Sequence, residues 1–575
     1  MIVVLVLACY APFLEWGLPL ATAPHRIKSV VTDAILPLEA LAEMHNTFVV
    51  SKPDRNYGYP WFHYFVVATA QTPYLAYLWL TGDLRDPSAE YPYGLRDPVG
   101  ALRTLTVIGR LVSVAMAAVI VIANFAFVTS LWGLRAGRIA AVLSGTAFPV
   151  FYYGRTGNLD AAACAWSMVV VWLFAVMVVR GADRRRLVAL ACVGAIATAT
   201  KDQASLIVVP LSIAGVFLCA ASAGWRHALK WTAGAVAVFS AVYAGACGMF
   251  IDPMRHITHV RRLFFEPQLL TVASTYRTVH PHTLCGIVAL LGEFVWGFVA
   301  MISPPVALVA VFGLLVAVRE RPVTSMLMIP LLLLFFLLNL PTGVAPRRYF
   351  LPFVVIADGF AACWVARRIQ AGYRRSGLLI LALLVGWQIL VDADLVYWQL
   401  HDTRYAAAKW LEKNVPEGSV VEFFGAAPKL PPLPASVATR RVGGRARWAG
   451  DKSHALTIER YLREEGPPFV LIMPDWSSEP TMPHSGDCPE FVYQALIDGS
   501  LGYRLAQEFR RPKESLFEWI RPRLDNPDVA PPIRIFVRTV DVRRHPVSGL
   551  PENRGAVSRV GPTAAGSGHD LTETG

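Results

Sequence analysis

Long apolar runs of roughly 15–22 residues, separated by short Arg- and Pro-bearing connections, dominate the chain between residues 104 and 394. Runs of that length suit helices crossing about 30 Å of hydrocarbon, whereas barrel strands would alternate polar and apolar positions. Spans are expected near 104–130, 138–153, 161–180, 186–199, 204–222, 230–250, 304–318, 323–340, 349–366 and 377–394. The apolar start, Met1 to about Leu14, is short and lacks the basic flank of a signal peptide, so it reads as a first span whose true start lies upstream. The count is then about eleven. Two further apolar patches, 63–80 and 285–302, are read as interfacial helices. Making 63–80 a span would put the acidic stretch Asp83 to Asp97 inside and the basic Arg135/Arg138 loop outside, against the positive-inside bias. The patch 285–302 contains Glu293 and Trp/Phe-rich turns.

Charge sets the orientation. The clusters Arg135/Arg138, Arg180/Arg184/Arg185/Arg186, Arg226/Lys230, Arg319/Arg321 and Arg367/Arg368/Arg374/Arg375 fall on alternate loops, which are placed in the cytoplasm. The N-terminus is then inside and the C-terminal part outside. From Tyr397 the pattern changes. Arg404 to Lys413 has helical apolar spacing, whereas 419–424, 469–473 and 533–537 read as short strands between Pro/Gly-rich connections. The expected fold is an all-α polytopic membrane bundle over 1–396, a small external α/β domain over 397–546, and a disordered tail over 547–575, rich in Gly, Ser, Pro and charge.

Composition agrees and excludes some classes. With 575 residues, 55% hydrophobic and 16% charged, and a mean hydropathy of +0.45, the chain is too apolar for an ordinary soluble enzyme. Much of the net charge of +12 sits in short loops, so nucleic acid need not be invoked. The eight cysteines are mostly dispersed through apolar segments, with no spacing suited to zinc or a disulfide scaffold.

The topology gathers polar residues on the outer side: Asp33, Glu39, Tyr59-Pro-Trp-Phe-His63, Asn158-Leu-Asp160, Thr200-Lys-Asp-Gln203, His256/His259 and Pro346-Arg-Arg-Tyr349. Taken singly, each has a plain structural reading. Asp33 could cap a helix, Asp160 could face a helix N-terminus, Lys201 could snorkel, and Arg347/Arg348 could touch lipid phosphate. His256 and His259 could form a solvated face, or else the weak candidates for a metal. Arg110, inside a span, needs a partner or a polar cavity. Together they suit sugar transfer from a lipid phosphate, in which a carboxylate takes the acceptor's proton and cations hold the departing phosphate.

These residues resemble motifs of the membrane-embedded GT-C glycosyltransferases of family 39, which include protein O-mannosyltransferases and lipid A aminoarabinose transferases, over roughly residues 1–400. Thr32-Asp33-Ala34 falls where that family carries an Asp, often Asp-Glu, on its first external loop; the second acid is missing here. Tyr59-Pro-Trp-Phe-His63 is similar to its His/Lys-Pro-Pro-Leu element, with one proline rather than two. Gly109-Arg110-Leu-Val-Ser113, Arg155-Thr-Gly-Asn-Leu-Asp160, Thr200-Lys201 and Arg348-Tyr349-Phe-Leu-Pro352 match further elements in order. The resemblance implies an inverting glycosyltransferase using a polyprenyl-phosphate sugar, with a lipid, glycan or protein acceptor. In this reading Asp33 is the base and Asp160 a second carboxylate orienting the acceptor or a metal. Lys201, Arg347 and Arg348 bind the donor phosphate, supported by Arg110, His63, Asn158, Tyr349 and Asp202. A divalent metal is left open, and membrane lipids are the surrounding partners. The expected location is a bacterial inner membrane with the site facing the periplasm or exterior. The rival class is a transporter or flippase of lipid-linked sugars.

Overall fold

The computed structural model describes residues 8–31, 34–49, 58–265, 280–320, 322, 328–341, 343, 347–425, 427–434, 436–442, 452–473, 488–510 and 529–539. Asp33 lies outside them. The helices run in order α1 (Glu39–Phe48), α2 (Phe62–Thr81), α3 (Pro98–Trp132), α4 (Leu134–Gly145), α5 (Phe148–Tyr153), α6 (Leu159–Arg180), α7 (Arg184–Thr200), α8 (Ser205–Ala223), α9 (Trp225–Ala246), α10 (Pro253–Phe265), α11 (Leu284–Ile302), α12 (Pro304–Glu320), α13 (Met328–Asn339), α14 (Leu351–Gln370), α15 (Arg374–Leu400) and α16 (Thr403–Asn414). Then come β1 (Val420–Phe424), β2 (Ala438–Arg441), α17 (Lys452–Glu464), β3 (Phe469–Ile472), α18 (Glu490–Ile497), β4 (Tyr503–Phe509) and β5 (Ile533–Arg538). The chain is a membrane-type helical bundle carrying a five-stranded sheet of order β2-β1-β3-β5-β4. In that sheet β2, β1 and β3 are parallel, and β5 and β4 add antiparallel.

Among the described residues, seven helical segments are long and apolar enough to cross a membrane. The central one contains α14, whose apolar window is 83% buried, against 11% for α9 at the periphery. Close approach explains the seating of α14: a Cβ at Gly313 of α12 would lie 1.9 Å from the Phe360 carbonyl oxygen, so only glycine lets the two backbones meet. The run expected as one span over 138–153 is instead two helices, α4 and α5, broken at Thr146 and Ala147. Pro149 lacks the N–H that would bond the Gly145 carbonyl and its ring crowds that carbonyl, and Thr146 Oγ1, at the break, donates to Gln388 Oε1 of α15 at 2.7 Å.

At 35 residues α3 is about 52 Å long, well beyond the roughly 30 Å of a hydrocarbon core. Its first turns therefore protrude, and α2 packs beside them, with Gln71 Nε2 donating to the Leu105 carbonyl at 3.1 Å. The helix expected over 63–80 is present as α2 and is not among the seven candidate spans. The segment expected as a second interfacial helix, α11, has the length and hydropathy of a span. It sets Phe294 edge-on and Phe298 tilted against Phe350, just before α14.

The bundle and the sheet are joined through residues 14–31. Arg110 Nη1 donates to the carbonyls of Leu14 and Trp16, fixing the base of this loop. Trp16 Nε1 donates to Asp402 Oδ2 at 3.1 Å, and the same carboxylate accepts from Arg404 Nε at 2.8 Å, Arg404 Nη2 at 2.6 Å and the Ala530 N–H at 3.1 Å. Arg26 spreads its guanidinium over the β1–β2 connection, donating to Leu433 O at 3.0 Å, Val437 O at 2.7 Å and Thr439 Oγ1 at 3.1 Å. Asp402→Ala removes the acceptor shared by loop, helix and sheet, together with the counter-charge of buried Arg404. It should cost about 3–5 kcal/mol in unfolding, and hydrogen exchange should speed up across amides 16–30 while the α14 amides stay protected. Unchanged exchange in the loop would show that Asp402 does not hold it.

Candidate functional site

Local sequence brings the charged groups to one end of the bundle, opposite the Arg-rich helix ends. Asn158 caps α6, its Oδ1 accepting the Asp160 N–H at 2.7 Å, so Asp160 stands in the first turn, where the helix dipole favours a carboxylate. Lys201 ends α7: its backbone turns to φ −157°, ψ 132°, and its N–H still bonds the Ala197 carbonyl. The two side chains meet across α6 and α7, with Lys201 Nζ donating to Asp160 Oδ1 at 2.7 Å while exposed by only 1% and 5%. Asp160 Oδ2 has no hydrogen-bond partner among the described residues. The ammonium also lies 5.0 Å from the Tyr349 ring centroid and 5.4 Å from that of Tyr59, within cation–π range of both.

Arg347 to Phe350 form a single 3-10 turn before α14. Arg348 is buried with its guanidinium 5.3 Å from the Tyr349 ring centroid, and Gln203 Nε2 donates to the Tyr349 hydroxyl at 3.3 Å. Asp160, Lys201, Arg348 and Tyr349 line one cavity, with Ser167, Gln203 and apolar residues of α8, α13 and α14. At about 30 Å³ the cavity has room for one or two waters.

The other expected residues are placed differently. Asp202 faces His259 of α10, its carboxylate 3.2 Å from Nε2, while His256 stands one turn away with its ring centroid 6.4 Å from that of His259. Among the described residues no three His, Cys, Asp or Glu side chains converge as a metal site. Burial, and then His259, lower the basicity of His256. His63 is buried in α2, and burial drives its imidazole down to about 4. Neither His63 nor Arg110 lines the Lys201 cavity, and Arg110 serves the loop at 14–16. Arg347 is half-buried outside that lining. Glu39 receives the Leu36 N–H at 3.1 Å and the Tyr64 hydroxyl at 3.3 Å. Arg26 donates to the Val437 carbonyl beside the sheet, and Ala34 bridges Asn158.

Sequence reasoning passed over three groups. Arg255 donates through Nε to Glu43 at 2.8 Å and ties α10 to α1; the partners lie 212 residues apart, and no spacing rule links them. Asp392 in α15 sits electrostatically beside Arg155, whose guanidinium stacks 4.1 Å from the Phe151 ring centroid. Asp358, fully buried in α14, has neither carboxyl oxygen hydrogen-bonded among the described residues. Both acids could have been found as carboxyls interrupting apolar runs.

No protein-family model and no curated protein sequence matches the chain. The chain is similar to solved glycosyltransferases of the GT-C fold. ArnT from Cupriavidus metallidurans in the apo state is 11% identical, with 82% of this chain and 92% of that one covered at a TM-score of 0.43. The same protein bound to undecaprenyl phosphate is 11% identical over 94% and 98%, at 0.39. The oligosaccharyltransferase AglB from Archaeoglobus fulgidus, in complex with an inhibitory peptide and a dolichol-phosphate, is 11% identical over 89% and 80%, at 0.37.

Removing one partner of the buried Asp160/Lys201 pair strands the other. Asp160→Leu or Lys201→Met alone should lower unfolding free energy by about 3–5 kcal/mol, and the double variant by clearly less than the sum. Additive losses in thermal or denaturant unfolding would show that the pair is not coupled. His63 gives a pH signature. Because the folded imidazole titrates near 4 and the unfolded one near 6.5, the unfolded state takes up the proton first. Wild-type stability should therefore fall by about 1.4 kcal/mol per pH unit between those limits. His63→Gln should lose that component, so its stability gap to wild type narrows as pH drops from 6.5 to 4. A constant gap would place the titration elsewhere.

Proposed function

We propose that the protein is a membrane glycosyltransferase that moves a sugar from a polyprenyl-phosphate donor to an acceptor hydroxyl, with inversion, on the extracytoplasmic side. The observation that carries this reading is the shared cavity lined by Lys201 and Arg348 together with Asp160. A lysine and an arginine at one cavity suit a phosphate. A phosphate leaving group needs charge stabilisation more than a proton, which Lys supplies as a point charge and Arg as a two-pronged donor. The acceptor oxygen bonds to the anomeric carbon as the carbon–oxygen bond to phosphate breaks, and the hydroxyl proton passes to a base. Asp33 is assigned that role from its family motif, and Asp160 orients the acceptor. Apolar helix faces seat the prenyl chain. The bundle, residues 1–396, would then be the catalytic domain, and residues 397–546 an accessory domain on the same side.

The test is purified full-length protein incubated with labelled polyprenyl-phosphate sugars and membrane extract. Wild type should transfer label. Asp33→Asn should lose transfer by 100-fold or more, the scale of general-base catalysis, while still binding donor. Arg348→Ala should weaken donor binding. Equal transfer by Asp33→Asn and wild type would remove the proposed base. Movement of the lipid across a vesicle membrane without transfer would replace the enzyme by a flippase.

A further inference from the structure

At the end of the bundle away from the Lys201 cavity, the last turns of α12 and α14 meet the first turn of α15. The 20 residues of α14 put about 30 Å between the two ends. Five arginines stand on these turns, Arg319, Arg367, Arg368, Arg374 and Arg375, and Glu320 is the one acid on them. Arg367 takes Glu320 at 2.7 Å, which ties α14 to α12. Among the described residues no carboxylate pairs with Arg319, Arg368, Arg374 or Arg375. Arg368 is held in place. Its guanidinium lies 5.4 Å from the Trp364 ring centroid and 5.2 Å from that of Tyr373, and its Nε donates to Ser376 Oγ of α15 at 3.1 Å. Trp364 in turn stacks on Phe312 of α12 at 5.9 Å. Gly372, at φ +93°, makes the tight turn that brings the start of α15 back to Arg368.

Apolar positions beside these charges decide which anion suits them. On α15, Arg375 heads a row at helical spacing with Leu379 and Leu383, and on α12, Arg319 heads Leu315 and Val311 in the same way, every member exposed. Each row sets a charge at the membrane surface above side chains that face hydrocarbon. We propose that this end of the bundle binds an anionic phospholipid, with its phosphate on Arg368, Arg374 and Arg375 and an acyl chain along Leu379 and Leu383. Guanidinium groups meet phosphate oxygens in pairs, so arginine suits this head group better than lysine. The dipole of α15 is positive at its start and adds to the charge of Arg374 and Arg375. Two rings and Ser376 already fix Arg368, so little ordering entropy opposes the lipid there. A free phosphate would meet the charge without the apolar row, and a zwitterionic lipid would bring its own cation to the same arginines. The site lies at the opposite end of the bundle from the Lys201 cavity and does not rest on the proposed transfer reaction.

The test is native mass spectrometry of the full chain in a neutral detergent, titrated with dioleoyl phosphatidylglycerol, dioleoyl phosphatidylcholine and glycerol 3-phosphate. Phosphatidylglycerol should bind about tenfold more tightly than phosphatidylcholine, and glycerol 3-phosphate should not compete with it at equal concentration. Arg374→Gln/Arg375→Gln, at two exposed positions, should weaken phosphatidylglycerol about tenfold and leave phosphatidylcholine unchanged. Arg184→Gln/Arg185→Gln removes the same charge from the same end of the bundle, on α7, which packs on α6, α8 and α9, and should leave the preference in place. Equal affinity for the two lipids, competition by glycerol 3-phosphate, or equal weakening by the two double variants would each overturn the proposal.

Discussion

An ammonium ion cannot be withdrawn from water without a counter-charge, and the Lys201–Asp160 contact answers that need at the end of a helical bundle. Both residues occupy helix termini, where the backbone is already changing direction. Asp160 opens α6 under its Asn158 cap, and Lys201 closes α7 in extended conformation. Once they meet, α6 and α7 are fixed in register, and the 3-10 turn bearing Arg348 and Tyr349 closes over them. A buried pair of this kind is weak evidence of stability, because packed apolar residues of similar volume would often serve as well.

Much of the bundle was legible because the hydrocarbon imposes length and polarity on the spans, and α3, α6, α8 and α15 follow the expected runs closely. Where a span departed from expectation, the cause was local. The run over 138–153 is apolar throughout, yet Pro149 divides it, and the proline was visible all along. The meeting of Asp160 with Lys201 and Arg348 was also foreseeable, since alternation of loops sends all three to one side. The long-range polar contacts were hidden. Arg255 with Glu43, and Asp402 with Trp16 and Ala530, join residues more than 120 positions apart, and a charged residue looks the same before its partner is known.

The same loops show how the sheet bears on the bundle. Residues 14–31 are held below by Arg110, laterally by Asp402 and above by Arg26. Each anchor uses a guanidinium or carboxylate against backbone or indole groups, so the loop gains position without needing a core of its own. Ala34 pairs with Asn158, two residues before Asp160.

Under the proposed reaction, the Lys201–Asp160 contact bears on how a donor would be held. Lys201 is already satisfied by one carboxylate oxygen and two aromatic faces, so an incoming phosphate must compete with Asp160 for it. That competition weakens ground-state binding. If the phosphate gains charge as the sugar departs, its hold on Lys201 strengthens at the moment Asp160 can release it, and the energy withheld from the donor lowers the barrier instead. Any lysine attracts the more highly charged phosphate more strongly; under the proposed reaction the resident carboxylate would add to that preference by lowering donor affinity.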